Sequence, residues 1–233
     1  GNTARALPYP EPEFPDKGPE VSPSPAPEQP HHTIRLQRTD RVIAAVLTLS
    51  VGMACLFIAD MIPAFLLQSM DFWFESDTVR EVSNMISTTD DHSRTSVHPL
   101  FSILSFIPVY LVKHALAIPP LQAVLYVTSI LGGIWMGTLY LLLRLLGCRT
   151  LDACIFTALG LSSASAIFWL PVPNSYTWGS WSIMLSLALL LLAEQHRVGA
   201  LSYVLASAFT LSITVTNWMA GLLTTLARWP FKQ

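Results

Sequence analysis

Five stretches of this chain contain no Asp, Glu, Lys or Arg: residues 42–59, 120–143, 153–173, 176–193 and 198–227. A helix that crosses a bilayer needs about 20 mainly apolar residues, and each run is close to that length. Only 12% of the residues are charged, against roughly 25% in a soluble domain. The fold class expected from this pattern is all-α, a polytopic transmembrane helical bundle.

The first 41 residues form a separate region. Nine of the 17 prolines fall within residues 1–31, mixed with Glu, Ser and Ala. Such a stretch cannot bury enough apolar surface to offset the entropy of ordering it, so a disordered tail is expected. A proline-motif ligand for a partner domain is the other reading. Arg35, Arg38 and Arg41 lie just before the first apolar run, and the positive-inside bias then places the N-terminus in the cytoplasm. That run is too deep in the chain, and lacks the small-residue cleavage site, for a signal peptide.

Residues 42–233 make up the expected transmembrane domain, with about five or six spans: 42–60, 120–143, 151–170, 177–193, 200–216 and a segment barely begun after "TNWMAG". The chain opens on Gly1 and stops soon after an apolar run, so the domain is expected to be incomplete at its C-terminus. Cys55, Cys148 and Cys154 lie in or beside apolar helices and read as inert buried thiols, with neither a disulfide framework nor zinc spacing. The net charge of −2 says nothing about a nucleic-acid partner, but the basic stripe such proteins need is missing, so none is expected.

Residues 99–118 have two readings. Pro99 suits a first helical position, yet Pro108 interrupts the run and Lys113–His114 close it early. Fourteen or so apolar residues suit a re-entrant segment better than a span. Counting basic residues on each side does not decide between them. In the external loop 69–98, Val79, Val82 and Ile86 share one helical face, while Asp77, Arg80, Glu81 and Asn84 share the other. With "MDFWF" upstream, this predicts an amphipathic helix lying on the membrane surface.

The same loop concentrates the ionisable groups, and "DDHSRTSVHPLF" (90–101) runs straight into an apolar helix. A solvated loop would also be polar, but charge held at a membrane surface suits a substrate with a lipid tail and a charged head. An acidic residue after the first membrane helix, an amphipathic stretch, and then His98-Pro99-Leu100 opening an apolar helix resembles the GT-C glycosyltransferases. The run "LGGIWMGTLYLLLRLLGCRTLDACIFTALGLSSASAIFWL" is also similar to the paired helices of that family. These are integral membrane enzymes that use polyprenyl-phosphate sugars, protein O-mannosyltransferases and aminoarabinose transferases of lipid A among them. The resemblance covers residues 42–225 and implies a GT-C-like bundle in the inner or plasma membrane. It also implies a polyprenyl-phosphate sugar as donor, a bilayer around the protein and inverting transfer on the non-cytoplasmic face.

Such transfer needs a carboxylate as general base near the acceptor and cations or donors where charge grows on the leaving phosphate. The base expected is Asp77, with Glu75 able to take its place. Arg80 and Arg94 are expected to bind phosphate, because a guanidinium fork matches its oxygens, and His92 and His98 to donate to phosphate or sugar. Competing readings stand beside these: an exposed i,i+3 pair of Arg80 with Asp77, and an N-cap role for His98. Asp60, near the outer end of the first span, is either functional or interfacial. Two positions depart from the family pattern. Leu100 replaces the second proline of its motif, and Asn174 in "PVPNSYTW" stands where an acidic residue is common. Asn174 can orient a hydroxyl but is a weak metal ligand, so no cofactor is expected and a divalent metal is disfavoured. The rival functions are a flippase or transporter for a lipid-linked substrate and a non-catalytic membrane scaffold. A transporter should carry repeats and mid-depth ionisable groups, and neither is evident here.

Overall fold

The computed structural model describes residues 36–68, 77–89, 94–195 and 198–229. Ten α-helices follow one another among them: α1 (Arg38–Met61), α2 (Ala64–Gln68), α3 (Thr78–Ile86), α4 (Phe101–Leu116), α5 (Pro120–Leu145), α6 (Thr150–Leu161), α7 (Ala164–Trp169), α8 (Ser175–Gln195), α9 (Ala200–Ile213) and α10 (Trp218–Arg228). No strand occurs among the described residues. The tail and its expected disorder lie outside them.

The helices are apolar outside and partly polar inside. Val42, Val46, Leu49, Met53 and Phe57 form a continuous exposed stripe on α1, and Ile103, Ile107 and Leu111 do the same on α4. Thr128, Ser129, Thr157, Ser182, Ser186 and Thr210 are buried. A water-soluble chain rarely exposes so much contiguous apolar surface, whereas lipid is as apolar as these side chains. Ser105, Ser182, Ser186 and Thr210 bond back to carbonyls of their own helices, Ser105 Oγ to Phe101 O at 2.7 Å, which satisfies them without water.

Among the described residues, three helices are long and apolar enough to cross a bilayer: α1, α5 and residues Ser175–Ala193 of α8. The other apolar helices, α4, α6 and α9, are shorter, at 16, 12 and 14 residues. Residues 151–170 divide at Ser162–Ser163, where Ser163 Oγ accepts the Ala166 amide at 3.2 Å and caps a new helix. α9 stops at Ile213 and the chain turns through a 3₁₀ segment into α10. Pro108 does not interrupt α4, which stays helical through it. At 16 residues, α4 rises about 24 Å, short of a hydrocarbon core of about 30 Å.

The centre of the bundle is the antiparallel pair α1–α5. Its helices meet at Gly52, Gly133 and Gly137, and the Gly133-Ile-Trp-Met-Gly137 spacing places two glycines on one face. A Cβ on Gly133 would run into the Thr48 carbonyl oxygen and meet Gly52 N at 3.0 Å, whereas one on Gly52 would find its nearest neighbour, Ser129 O, at 3.4 Å. Gly133→Ala should therefore force the backbones apart and destabilise the chain by about 1–3 kcal/mol, the usual range for overpacking. Gly52→Ala should cost less. Thermal unfolding of both variants in detergent checks the order.

α3 is amphipathic as expected, but it does not lie with its polar face to water. Val82 and Met85 enter the core that joins α4, α5, Trp178 and Ile213. Glu81 and Asn84, assigned from sequence to the outer polar face, are buried at 5% and 6% exposure. The reason is that residues 173–176 at the start of α8 pack over that face, with Ser175 in contact with Glu81.

Candidate functional site

Asp77 immediately precedes α3, and its Oδ2 is where two guanidinium groups converge. Arg80, one turn on, pairs with it through Nη2, and Arg94 reaches it through Nη1 at 3.0 Å. Arg94 lies 17 residues further along the chain and has φ 64°, a left-handed conformation that a non-glycine residue adopts at a cost. The strained turn delivers its side chain to the carboxylate. The i,i+3 pair and the clustered site thus coexist.

His98 does not cap α4. Its Nδ1 lies 2.9 Å from the Ile213 carbonyl and 3.1 Å from Thr214 Oγ1. Beside it, Leu100 N donates to Ser212 O at 2.9 Å and Val215 N to Val97 O at 3.0 Å. The His-Pro-Leu segment is therefore laced to the end of α9, and the ring is held by one nitrogen at the wall of the site. Asn174 has a different part from the one expected of it. Its amide donates to the carbonyls of Trp169 and Val172, and its Oδ1 accepts from the backbone and hydroxyl of Thr177 at 2.8 and 3.1 Å. It caps α8 with all its hydrogen-bonding capacity engaged, which leaves none for a ligand. Glu75 and His92 lie outside the described residues.

Sequence reasoning missed Glu81 as a site residue. Its Oε1 accepts from Ser175 Oγ at 3.2 Å and lies 3.7 Å from Arg80 Nη2. Its Oε2 is buried with no hydrogen-bond partner. Burial pushes the carboxyl above its ordinary value, outweighing the opposite pull of Arg80 and His98. The one sequence signal was its position four residues after Asp77, which cannot by itself distinguish a solvated face from a buried one.

Two cavities meet at Asp77. The larger, about 530 Å³, is lined by Trp135, Trp169 and Tyr176 together with Ser163, Ser165, Thr177 and Ser180. Trp169 and Tyr176 meet edge to face with ring centres 5.8 Å apart, and Trp135 Nε1 donates to Ser180 Oγ at 2.8 Å. The smaller, about 30 Å³, is bounded by Arg80, Glu81, Arg94, His98 and Ser175. A carboxylate, two guanidiniums and aromatic walls with hydroxyls can hold a polar ring beside a negatively charged group. Among the described residues no group of three His, Cys, Asp or Glu is placed to hold a metal ion. No family model, curated protein or solved structure matches the chain.

Proposed function

We propose that this chain is a membrane glycosyltransferase, or a part of one, that moves a sugar from a polyprenyl-phosphate donor to an acceptor with inversion. In this reading the transfer takes place on the non-cytoplasmic face of an inner or plasma membrane, the arginines before α1 hold the N-terminus in the cytoplasm, and the bundle is GT-C-like. The observation that carries it is the convergence of Arg80 and Arg94 on Asp77 at the mouth of the aromatic-walled cavity. Cations that bind phosphate and the carboxylate that accepts a proton are the two parts such a transfer requires, and here they share one atom. Seating the donor phosphate on the guanidiniums draws them off Asp77, so the base is released only when the donor is in place. The sugar then occupies the larger cavity, where indole and phenol rings suit the apolar face of a pyranose and the hydroxyls its polar edge.

Binding of a short-chain prenyl phosphosugar to the chain in nanodiscs tests this. Arg94→Ala should weaken binding about ten- to a hundredfold, the equivalent of losing one hydrogen bond to a charged group. Arg94 is 57% exposed, so its loss should leave the fold intact. Absence of binding to the unmodified chain, or an unchanged affinity in Arg94→Ala, would overturn the assignment.

A further inference from the structure

Glu81 carries an unexplained atom. Oε2 is buried and unpartnered, and the residue, 5% exposed, lines the small cavity beneath Asp77. A carboxylate oxygen there would lack a donor, and a carboxylic acid there would lack an acceptor. Native proteins seldom leave either so. The cavity, about 30 Å³, has room for a single oxygen-sized group rather than a ring.

Its walls define the chemistry of that group. On its own helix Glu81 faces Arg80, just before that helix Asp77, from the segment leading into α4 His98, and from α8 Ser175 and Tyr176, with Arg94 on the same cavity. α5 adds no charge at this level, since its single charged residue, Arg144, is bound to Asp40. The first turn of α8 borders the cavity as well, and the positive end of its macrodipole favours an anion. With Glu81 neutral, two guanidiniums and the helix end outweigh the one Asp77 carboxylate. With Glu81 ionised, two carboxylates cancel the two guanidiniums.

We propose that this cavity is a subsite for one non-bridging oxygen of a phosphodiester, to which Glu81 donates a hydrogen bond from Oε2 while Arg80 and Arg94 hold the charge. The proposal rests on the donor reading above and deepens it. The site is then proton-linked. Folding favours the neutral acid, so anion binding is complete at low pH and is lost as pH rises through the raised titration of Glu81.

The test is the pH dependence of binding of a prenyl phosphosugar diester, whose single charge does not titrate between pH 6 and 10, to the full chain in nanodiscs. Above the Glu81 midpoint the affinity of the unmodified chain should fall about tenfold per pH unit. Glu81→Gln, which keeps a donor that cannot ionise, should bind with a flat profile. Glu81→Leu should bind weakly throughout. His98→Gln removes the imidazole on the cavity and should keep the slope. Inorganic phosphate should compete with the diester weakly if the lipid headgroup is the natural source of the oxygen, and strongly if free phosphate is; both outcomes support the subsite. A slope that persists in Glu81→Gln, or that vanishes only in His98→Gln, overturns it. If the unmodified chain binds no diester at any pH, the donor reading falls and the subsite with it. Binding with a flat profile in the unmodified chain removes the subsite alone.

Discussion

In the proposed reaction, Asp77→Asn should lower sugar transfer by about 10²–10⁴-fold, the range expected for removing a general base, while donor binding is retained or improved. The carboxylate sits where both guanidiniums end, so the amide keeps the shape of the site but gives up the ion pairs. Arg80 and Arg94 are then free to grip phosphate without competition, and ground-state affinity should not fall. Transfer needs the acceptor proton to leave, and an amide cannot take it. The measurement is a single-turnover transfer assay with prebound donor, run beside equilibrium binding on the same preparation. Loss of both together would assign Asp77 to holding the site open rather than to chemistry. Unchanged transfer would remove it as the base and leave Glu75, which the same assay on Glu75→Gln would address.

The helices that were legible in the sequence are those whose signal is local. α1, α5 and α8 are long charge-free runs, and length with apolarity is sufficient to identify them. The division of α6 from α7 was hidden because its cause is a serine cap, Ser163 on Ala166, set within an apolar run with neither proline nor charge to mark it. Pro108 misled in the opposite direction, since a proline that reads as a break is carried inside a continuous α4. For α3 the periodicity revealed the helix and its two faces but not which way they point. The rule that polar faces meet water fails when a neighbouring segment, here Pro173–Tyr176, brings hydroxyls and a cavity to that face.

The candidate site divides in the same manner. Asp77, Arg80 and Arg94 lie in one polar loop, and their convergence follows from helix spacing and a short strained turn, both local. The partners of His98 are Ile213 and Thr214, 115 and 116 residues away, and the aromatic walls come from α5, α7 and α8. No spacing in the sequence announces those meetings. Asn174 shows how residue type alone can point wrongly. An amide near a site suggests substrate, but "PVPN" before a long apolar helix places it at the N-cap, where four local partners engage it completely.

Asp40→Ala should destabilise the chain by about 3–5 kcal/mol, the cost of stranding the partner of a buried ion pair. Asp40 was legible only as one residue of a basic segment before the first span. In the fold it is 1% exposed and binds Arg144, 104 residues away, with Nε to Oδ1 at 2.7 Å and Nη2 to Oδ2 at 3.4 Å. Tyr140 donates to the same carboxylate at 3.1 Å, and the Gln37 amide donates at 2.9 Å. Arg144 also reaches the Cys148 carbonyl. The arrangement closes the start of α1 on the end of α5, about two and a half turns along α5 from Trp135 in the cavity wall. Desolvation opposes the pair and the shared hydrogen bonds offset it, so deleting both charges should cost much less than deleting one. Asp40→Leu with Arg144→Met should unfold near the unmodified chain, so the cycle should show a coupling at least as large as the loss from the single Asp40 change, about 3–5 kcal/mol. Because the pair lies away from the Asp77 site, the folded fraction of Asp40→Ala should bind prenyl phosphosugar with unchanged affinity. Additive losses in the double variant would mean that the two charges do not meet. Weakened binding at full folding would mean that this end of α1–α5 is coupled to the site.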